Sequence, residues 1–226
     1  MEIIQQLIDF ILHIDVYLNA WVTTYQTWTY LILFLIIFCE TGLVVTPFLP
    51  GDSLLFAAGT LAAMQDNPLN VTFLIFILLL AAFAGDNTNF FIGRFLGEKV
   101  YEKNYRLIKR DYLDKTHAFY EKHGGKTLII ARFLPIIRTF APFVAGIGEM
   151  KYFRFITFSI IGNILWVNIF IWFGYFVVEI GKYFFNNPDW GKENFSKIVL
   201  TIIIISLLPT IIAVFKQWFS KKELDK

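Results

Sequence analysis

The sequence predicts an all-α integral membrane protein: a polytopic helical domain in which two opposed re-entrant hairpins form an inverted repeat. Two observations carry this prediction. The chain is 57% hydrophobic and 17% charged, with a mean hydropathy of +0.59, whereas soluble domains are about 45–50% apolar and about 25% charged. In addition, prolines, glycines and charges interrupt two of its apolar stretches, a pattern that ordinary membrane spans do not have.

Hydrophobic periodicity gives the organisation along the chain. Residues 1–29 mix apolar and polar positions at helical spacing, which predicts an amphipathic N-terminal helix, and residues 30–226 form the membrane domain. The basic segment in its middle and the lysine-rich end are cytoplasmic by the positive-inside rule. The expected elements are a re-entrant segment at about 40–64, a span at 71–94, a cytoplasmic helical loop at 95–126, a second re-entrant segment at about 127–148, and spans at 153–180 and 198–215.

The two re-entrant segments share a pattern of helix-breaking residues. Proline ends or kinks a helix, and backbone groups freed at membrane depth need protein or water partners. Broken helices that meet near the midplane of inverted repeats are typical of secondary transporters. The residues predicted to break these helices are Pro47, Pro50, Gly59, Pro135, Pro142 and Gly146.

Four charged residues lie inside these apolar stretches: Glu40 and Asp52 in the first segment, and Arg132 and Arg138 in the second. A charge at the centre of a membrane helix costs roughly 2.5–3.5 kcal/mol, so the four must face one another, water or a ligand. Each also has a purely structural explanation. Asp52 could cap the helix that follows it, the arginines could snorkel to the interface, and Glu40 could form a buried ion pair with one of them.

The same residues support a binding site for an anion. Helix N-termini at the breaks offer N–H groups, and arginine offers a planar fork that matches phosphate. Carboxyl groups shielded from water take up protons more readily, which makes Glu40 and Asp52 candidates for proton coupling. The residues expected to bind the anionic substrate are Arg132, Arg138, Gly51 and Ser53.

Polar residues of the neighbouring spans have two interpretations. Asp86, Asn89 and Asn163 lie on helical faces, where they either line the transport path or pack between helices. The sequence has no metal-ligand cluster and no nucleophile-base set, so we expect no metal, no cofactor and no enzymatic activity. Its single cysteine, Cys39, excludes an intramolecular disulfide, and a net charge of +2 indicates no affinity for nucleic acid.

Several motifs, in the same order, resemble the DedA family, which is related to SNARE-associated or VTT-domain proteins. The motifs are Glu40-Thr41-Gly42, Pro47-Phe48-Leu49-Pro50-Gly51-Asp52, Arg132-Phe133-Leu134-Pro135-Ile136-Ile137-Arg138, Pro142 and Ala145-Gly146. The resemblance runs along nearly the whole chain. It implies a bacterial inner-membrane protein with two facing re-entrant hairpins and a role in lipid homeostasis. It also implies that the family's essential acidic and basic positions fall on Glu40, Asp52, Arg132 and Arg138.

These features lead to one expected function and two alternatives. Members of the family are described as translocases of undecaprenyl phosphate or phospholipids that depend on the proton motive force. We therefore expect a flippase or scramblase of an anionic lipid phosphate, whose partners are membrane lipids and protons. The alternatives are a proton-coupled transporter of small soluble ions or solutes and a non-transporting assembly factor for the envelope. A homo-oligomer is compatible with the sequence.

Overall fold

The computed structural model describes residues 24, 27–43, 51–64, 69–103, 124–191, 193–195, 197–198 and 201. The helices among them are α1 (Trp28–Gly42), α2 (Gly51–Ala62), α3 (Val71–Lys103), α4 (Lys126–Ala131), α5 (Pro135–Ile147) and α6 (Tyr152–Phe185). None of the described residues belongs to a strand, so the all-α prediction is confirmed for this part of the chain. The predicted helix at 1–29 and the predicted span at 198–215 lie almost wholly outside the described residues.

In the part of the chain that the structure describes, two helices are long and apolar enough to cross a bilayer. They are α3 over Val71–Gly97, with 27 residues, and α6 over Tyr152–Phe185, with 34 residues, whereas a span needs about 20 residues. Large apolar side chains are exposed along both helices, and Phe153 is 83% exposed. Their buried polar side chains are Asp86, Asn89, Ser159 and Asn163. An apolar exterior around a polar interior suits lipid as the surrounding solvent.

The predicted spans differ from these helices mainly at their ends. The expected span at 153–180 corresponds to α6, and the expected span at 71–94 corresponds to the first part of α3. Helix α3 continues to Lys103, so the first residues of the predicted loop at 95–126 prolong the helix. This segment contains no proline, and its lysine and glutamate residues are good helix formers.

The first broken segment is described on both sides of its proline-rich centre. Helix α1 ends at Gly42 and α2 begins at Gly51, while Pro47 and Pro50 lie outside the described residues. The opposed re-entrant hairpins and their inverted repeat therefore stay a prediction. Asp52 lies in the first turn of α2 rather than at its N-cap, a place where a carboxylate interacts favourably with the helix dipole.

Gly59 was wrongly predicted to break a helix. It lies inside α2, where a Cβ atom would overlap the backbone carbonyl of Ile171 on α6. The glycine is therefore a point of close helix contact. Gly174 on α6 has the same relation to the carbonyl of Phe56 on α2. Small residues permit this approach of two backbones in membrane helices.

The second broken segment has one interruption, at residues 132–134. Arg132 is the C-cap of α4, Leu134 is extended with φ −112° and ψ 105°, and Pro135 begins α5. The extended residue is explained by the proline that follows it, because the proline ring disfavours helical geometry at the preceding position. Pro135 was thus correctly placed at a helix boundary, where its missing N–H has no intrahelical partner to lose.

The predicted breaks at Pro142 and Gly146 are wrong, because α5 continues through both positions. Pro142 has no N–H for the carbonyl one turn earlier, but tertiary packing compensates, since Ala141, Pro142, Ala145 and Gly146 are all buried. A Cβ at Gly146 would overlap the Phe90 carbonyl of α3. The glycine therefore allows α5 to lie directly against α3.

The chain divides into two compact units. The arginine unit, as we call it, contains α1, α3 from Thr72, α4, α5 and α6 up to Ile169, and its apolar core includes Phe90, Leu128 and Phe155. The α2 unit contains α2 and the chain from Phe170 onward. In the α2 unit, Lys182 Nζ donates a hydrogen bond of 2.6 Å to the carbonyl of Ala63, just beyond the end of α2.

Candidate functional site

Among its described residues, the arginine unit buries four charged side chains. Glu40 is 0% exposed, Asp86 2%, Arg132 4% and Arg138 3%. Each comes from a different helix or helix end: the last turn of α1, the middle of α3, the C-cap of α4 and the first turn of α5. Two carboxylates thus lie close to two guanidinium groups, and the charges of these four side chains add to zero.

The first pair joins the two broken segments. Arg138 donates a hydrogen bond from Nη2 to Glu40 Oε1, and the two side chains form a buried salt bridge. This is the ion pair that the sequence offered as the structural explanation for Glu40. The same pair brings together one residue predicted to bind the substrate and one predicted to carry a proton.

The second pair has a partner that sequence reasoning did not assign. Arg132 donates to Asp86 in a bidentate arrangement, with Nη1 to Oδ1 at 2.9 Å and Nη2 to Oδ2 at 2.6 Å. Ser159 Oγ also donates to Asp86 Oδ2, and Asn163 Nδ2 donates to the same oxygen at 3.1 Å. Bidentate pairs of arginine with carboxylate are among the strong hydrogen bonds of proteins, so Arg132 is held firmly.

One aromatic side chain lies against both arginines. The Cζ atom of Arg132 is 5.3 Å from the ring centroid of Trp166, and that of Arg138 is 4.6 Å from it. Trp166 belongs to α6 and is 0% exposed. The sequence gave no sign of this contact beyond the position of Trp166 on the same helical face as Asn163.

Asn89 fixes the position of the Glu40–Arg138 pair. Its Nδ2 donates to the carbonyl of Thr41 at 3.0 Å and to the carbonyl of Thr139 at 2.6 Å. These threonines directly follow Glu40 and Arg138, so a side chain of α3 aligns the backbone of α1 with that of α5. Of the two interpretations that the sequence left open for Asn89, these contacts correspond to packing between helices.

A small cavity of ≈ 10 Å³ lies between the two arginines. Asp86, Ser159 and both arginines are among the residues that line it, and the volume accommodates about one water molecule. A phosphate group is larger than this cavity. Among the described residues, no group of three or more histidine, cysteine, aspartate or glutamate side chains lies close enough to hold a metal ion.

The remaining predicted site residues belong to the α2 unit. Gly51, Asp52 and Ser53 form the buried first turn of α2, and Asp52 is 8% exposed. The structure thus brings Glu40, Arg132, Arg138, Asp86 and Asn163 into one cluster and places these three residues in the other compact unit. Their part in binding or proton coupling stays a prediction.

Comparison with known proteins assigns the family. The VTT domain model matches residues 49–176, and Protein DedA of Escherichia coli K12 is 52% identical over 218 residues, which are 96% of each chain. The chain belongs to the DedA family of VTT-domain proteins. An uncharacterized membrane protein of Mycobacterium leprae is 40% identical over 192 residues (84% of this chain and 82% of the relative). Inner membrane protein YqjA of Escherichia coli K12 is 30% identical over 196 residues (85% and 87%). No solved structure matches the chain.

Membership of this family confirms the resemblance inferred from the motifs. The apolar exteriors of α3 and α6 agree with the membrane location that the relatives' names state. The chain is therefore a DedA-family membrane protein.

Proposed function

We propose that this protein is a proton-linked translocase, a flippase or scramblase, of an anionic lipid phosphate such as undecaprenyl phosphate or a phospholipid. Its place would be the inner membrane of a bacterium, where it would serve envelope lipid homeostasis. One observation carries the proposal: a membrane protein buries two arginines, each paired with a carboxylate, within one compact unit. Arginine is the side chain best suited to hold phosphate through two parallel hydrogen bonds.

Stability alone is a poor explanation for such a cluster. Removing two charges from water is costly, and well-packed apolar residues of similar volume often stabilise a protein as well as or better than a buried ion pair. Charged side chains within membrane segments are typically found at substrate sites and proton relays. The Glu40–Arg138 pair joins two broken segments, which is where secondary transporters build their substrate sites.

The coupling mechanism that we propose is competition for a guanidinium group. A carboxylate and a phosphate need the same donors of Arg138, and the cavity beside it has room for water only. Protonation of Glu40 removes the negative charge that holds Arg138, so the arginine can turn to a phosphate. Loss of the proton restores the ion pair and expels the anion. Asp52, in the first turn of α2, is proposed as a second group that exchanges protons.

The exposed side chains around the arginines favour a lipid over a soluble ion. Both arginines are buried, but four large apolar side chains of the same segment are each about two fifths exposed or more. A lipid could therefore keep its tail in the bilayer while its headgroup reaches the buried charges. The exposed side chains are Phe133, Leu134, Ile137 and Phe140.

The membrane arrangement of the predicted hairpins is part of this proposal. Segments 40–64 and 127–148 would enter from opposite sides of the membrane, which brings the acid of one to the arginine of the other. The cytoplasmic side would hold the basic loop at 95–126 and the C-terminus, in agreement with the positive-inside rule.

Reconstitution in liposomes tests the proposal. Labelled undecaprenyl phosphate and labelled phospholipids are followed across the bilayer, with and without a pH gradient, for the unmodified chain, Arg138→Ala, Arg138→Lys and Arg154→Ala. Arg154 is an exposed arginine of α6 and provides the matched control. We expect Arg154→Ala to transport normally, Arg138→Ala to be inactive, and Arg138→Lys to be impaired because lysine lacks the planar fork.

Three outcomes would contradict the proposal. If neither lipid crosses the bilayer faster than in empty vesicles, the protein is not a translocase of these lipids. Uptake of inorganic phosphate without any lipid movement would favour a transporter of soluble ions. A folded Arg138→Ala variant with full transport activity would remove this arginine from the site.

A further inference from the structure

We propose that Trp166 is a positioning residue for the anion site: its indole ring holds both arginines at a common surface while their anionic partners exchange. The inference rests on the proposed function and deepens it, because it names the group that keeps the site assembled during transport. Trp166 has no charge and no acceptor that could replace a carboxylate or a phosphate, so its role differs from those of Glu40 and Asp86.

The geometry of the three side chains supports this role. Each guanidinium Cζ lies within 5.3 Å of the Trp166 ring, a distance at which cations are attracted to an aromatic face. Arg132 and Arg138 are on different helices and are separated by the extended Leu134. The distance between the two cations therefore depends on a third element, and α6 supplies it through Trp166.

Burial makes the contact stronger than a surface stacking interaction. Trp166 is 0% exposed and the arginines are 4% and 3% exposed, so little water competes for the guanidinium faces. Cation–π attraction increases when both groups are desolvated, and tryptophan is the best of the aromatic side chains for it. A guanidinium group has five N–H donors, so contact of its Cζ atom with the indole ring leaves donors for an anion.

This arrangement has a consequence for the exchange of anions. When Glu40 is protonated, its negative charge no longer attracts Arg138, and both guanidinium groups still lie beside the same ring. The indole ring attracts both cations in every protonation state, so it keeps them in place until the phosphate arrives. The strength with which the ring at position 166 attracts the two cations should then determine how tightly the site binds the phosphate.

Transport kinetics give the first test. In the liposome assay with undecaprenyl phosphate, Trp166→Phe should raise KM about ten-fold, because a phenyl ring attracts two cations less strongly, with kcat little changed. Trp166→Leu, which has no aromatic ring, should raise KM further. Trp172→Phe is the matched control, since Trp172 lies on the same helix and stacks on Phe176 at 5.5 Å. A KM for Trp166→Phe equal to that of Trp172→Phe would overturn the inference.

A stability cycle keeps this inference separate from the proposed function. The unfolding midpoint in detergent is measured for Trp166→Phe in the unmodified chain and in the neutral background Glu40→Gln/Arg138→Gln. If the ring holds Arg138, Trp166→Phe destabilises the unmodified chain more than the neutral background; equal effects would overturn the inference. Should the unmodified chain move no lipid at all, the proposed function fails, and this cycle still decides whether Trp166 holds the arginine.

Discussion

Replacing Asp86 by asparagine removes the negative charge from the buried Asp86–Arg132 ion pair. The substitution conserves size but leaves Arg132 buried, at 4% exposure, without its counter-ion. Asp86 accepts two hydrogen bonds from Arg132, one from Ser159 and one from Asn163. Removing one partner of a buried pair costs about 3–5 kcal/mol, and we expect the lower end of this range because asparagine can still accept one hydrogen bond.

The assay is unfolding of the purified protein in detergent, followed by intrinsic fluorescence. A loss of about 3 kcal/mol is a large part of the 5–15 kcal/mol that is typical of folded domains, so the midpoint should fall clearly. The double variant Asp86→Leu/Arg132→Met should regain most of this loss, because it leaves no uncompensated charge.

A surface pair provides the control for this experiment. Glu179 forms a salt bridge of 2.8 Å with Lys182, but its side chain is 44% exposed, and exposed pairs contribute about 0–1 kcal/mol. Glu179→Gln should therefore change the midpoint little. The reasoning is refuted if Asp86→Asn is as stable as Glu179→Gln, or if the double variant is no more stable than Asp86→Asn alone.

Three further changes test other contacts. Gly59→Ala should lower the unfolding midpoint strongly, because the added methyl group would overlap the Ile171 carbonyl. Gly162→Ala should be tolerated, because the nearest atom to a methyl group at that position is 3.5 Å away. Equal midpoints for the two variants would contradict this expectation. Asn89→Leu should cost about 2 kcal/mol, because two buried backbone carbonyls each lose a hydrogen bond from Asn89. An unchanged midpoint would argue against the alignment of α1 with α5. Glu40→Gln should leave lipid movement down its own concentration gradient but weaken its acceleration by a pH difference. An acceleration equal to that of the unmodified chain would exclude Glu40 as a coupling acid.

The sequence predicted those site residues that stand out from their immediate neighbours along the chain. Glu40, Arg132 and Arg138 are charges within apolar stretches, and the insertion cost of such charges is a property of each residue. The partner of each charge is not a local property, because it depends on which helices pack together. Arg132 pairs with a residue 46 positions away, and Arg138 with one 98 positions away.

Asp86 and Trp166 show two different limits of sequence reasoning. Asp86 carried a usable signal, since it is a carboxylate inside the apolar span expected at 71–94, but the sequence did not show which cation lies opposite it. Trp166 carried little beyond its place on the same helical face as Asn163. Its helix is rich in aromatic residues, and the sequence does not distinguish an indole that contacts arginine from one that packs on lipid.

Rules for helix-breaking residues succeeded at one proline and failed at other positions. Pro135 begins a helix, as its fixed φ and missing N–H favour. Pro142, Gly59 and Gly146 lie within helices, because tertiary packing outweighs the local cost, and the two glycines allow backbones to approach. The residue types therefore marked these positions as unusual for a helix. They did not show whether the helix ends there or packs closely against another helix.

The most direct test of the central claim is a measurement of proton movement caused by lipid phosphate. Proteoliposomes containing a pH-sensitive dye are mixed with undecaprenyl phosphate, and the same experiment is done with phosphatidylcholine and with Glu40→Gln. If protonation of Glu40 frees Arg138 for phosphate, the unmodified chain should move protons together with undecaprenyl phosphate, and Glu40→Gln should move fewer protons for each lipid phosphate. Lipid phosphate crossing the bilayer without any proton movement in the unmodified chain would contradict the account.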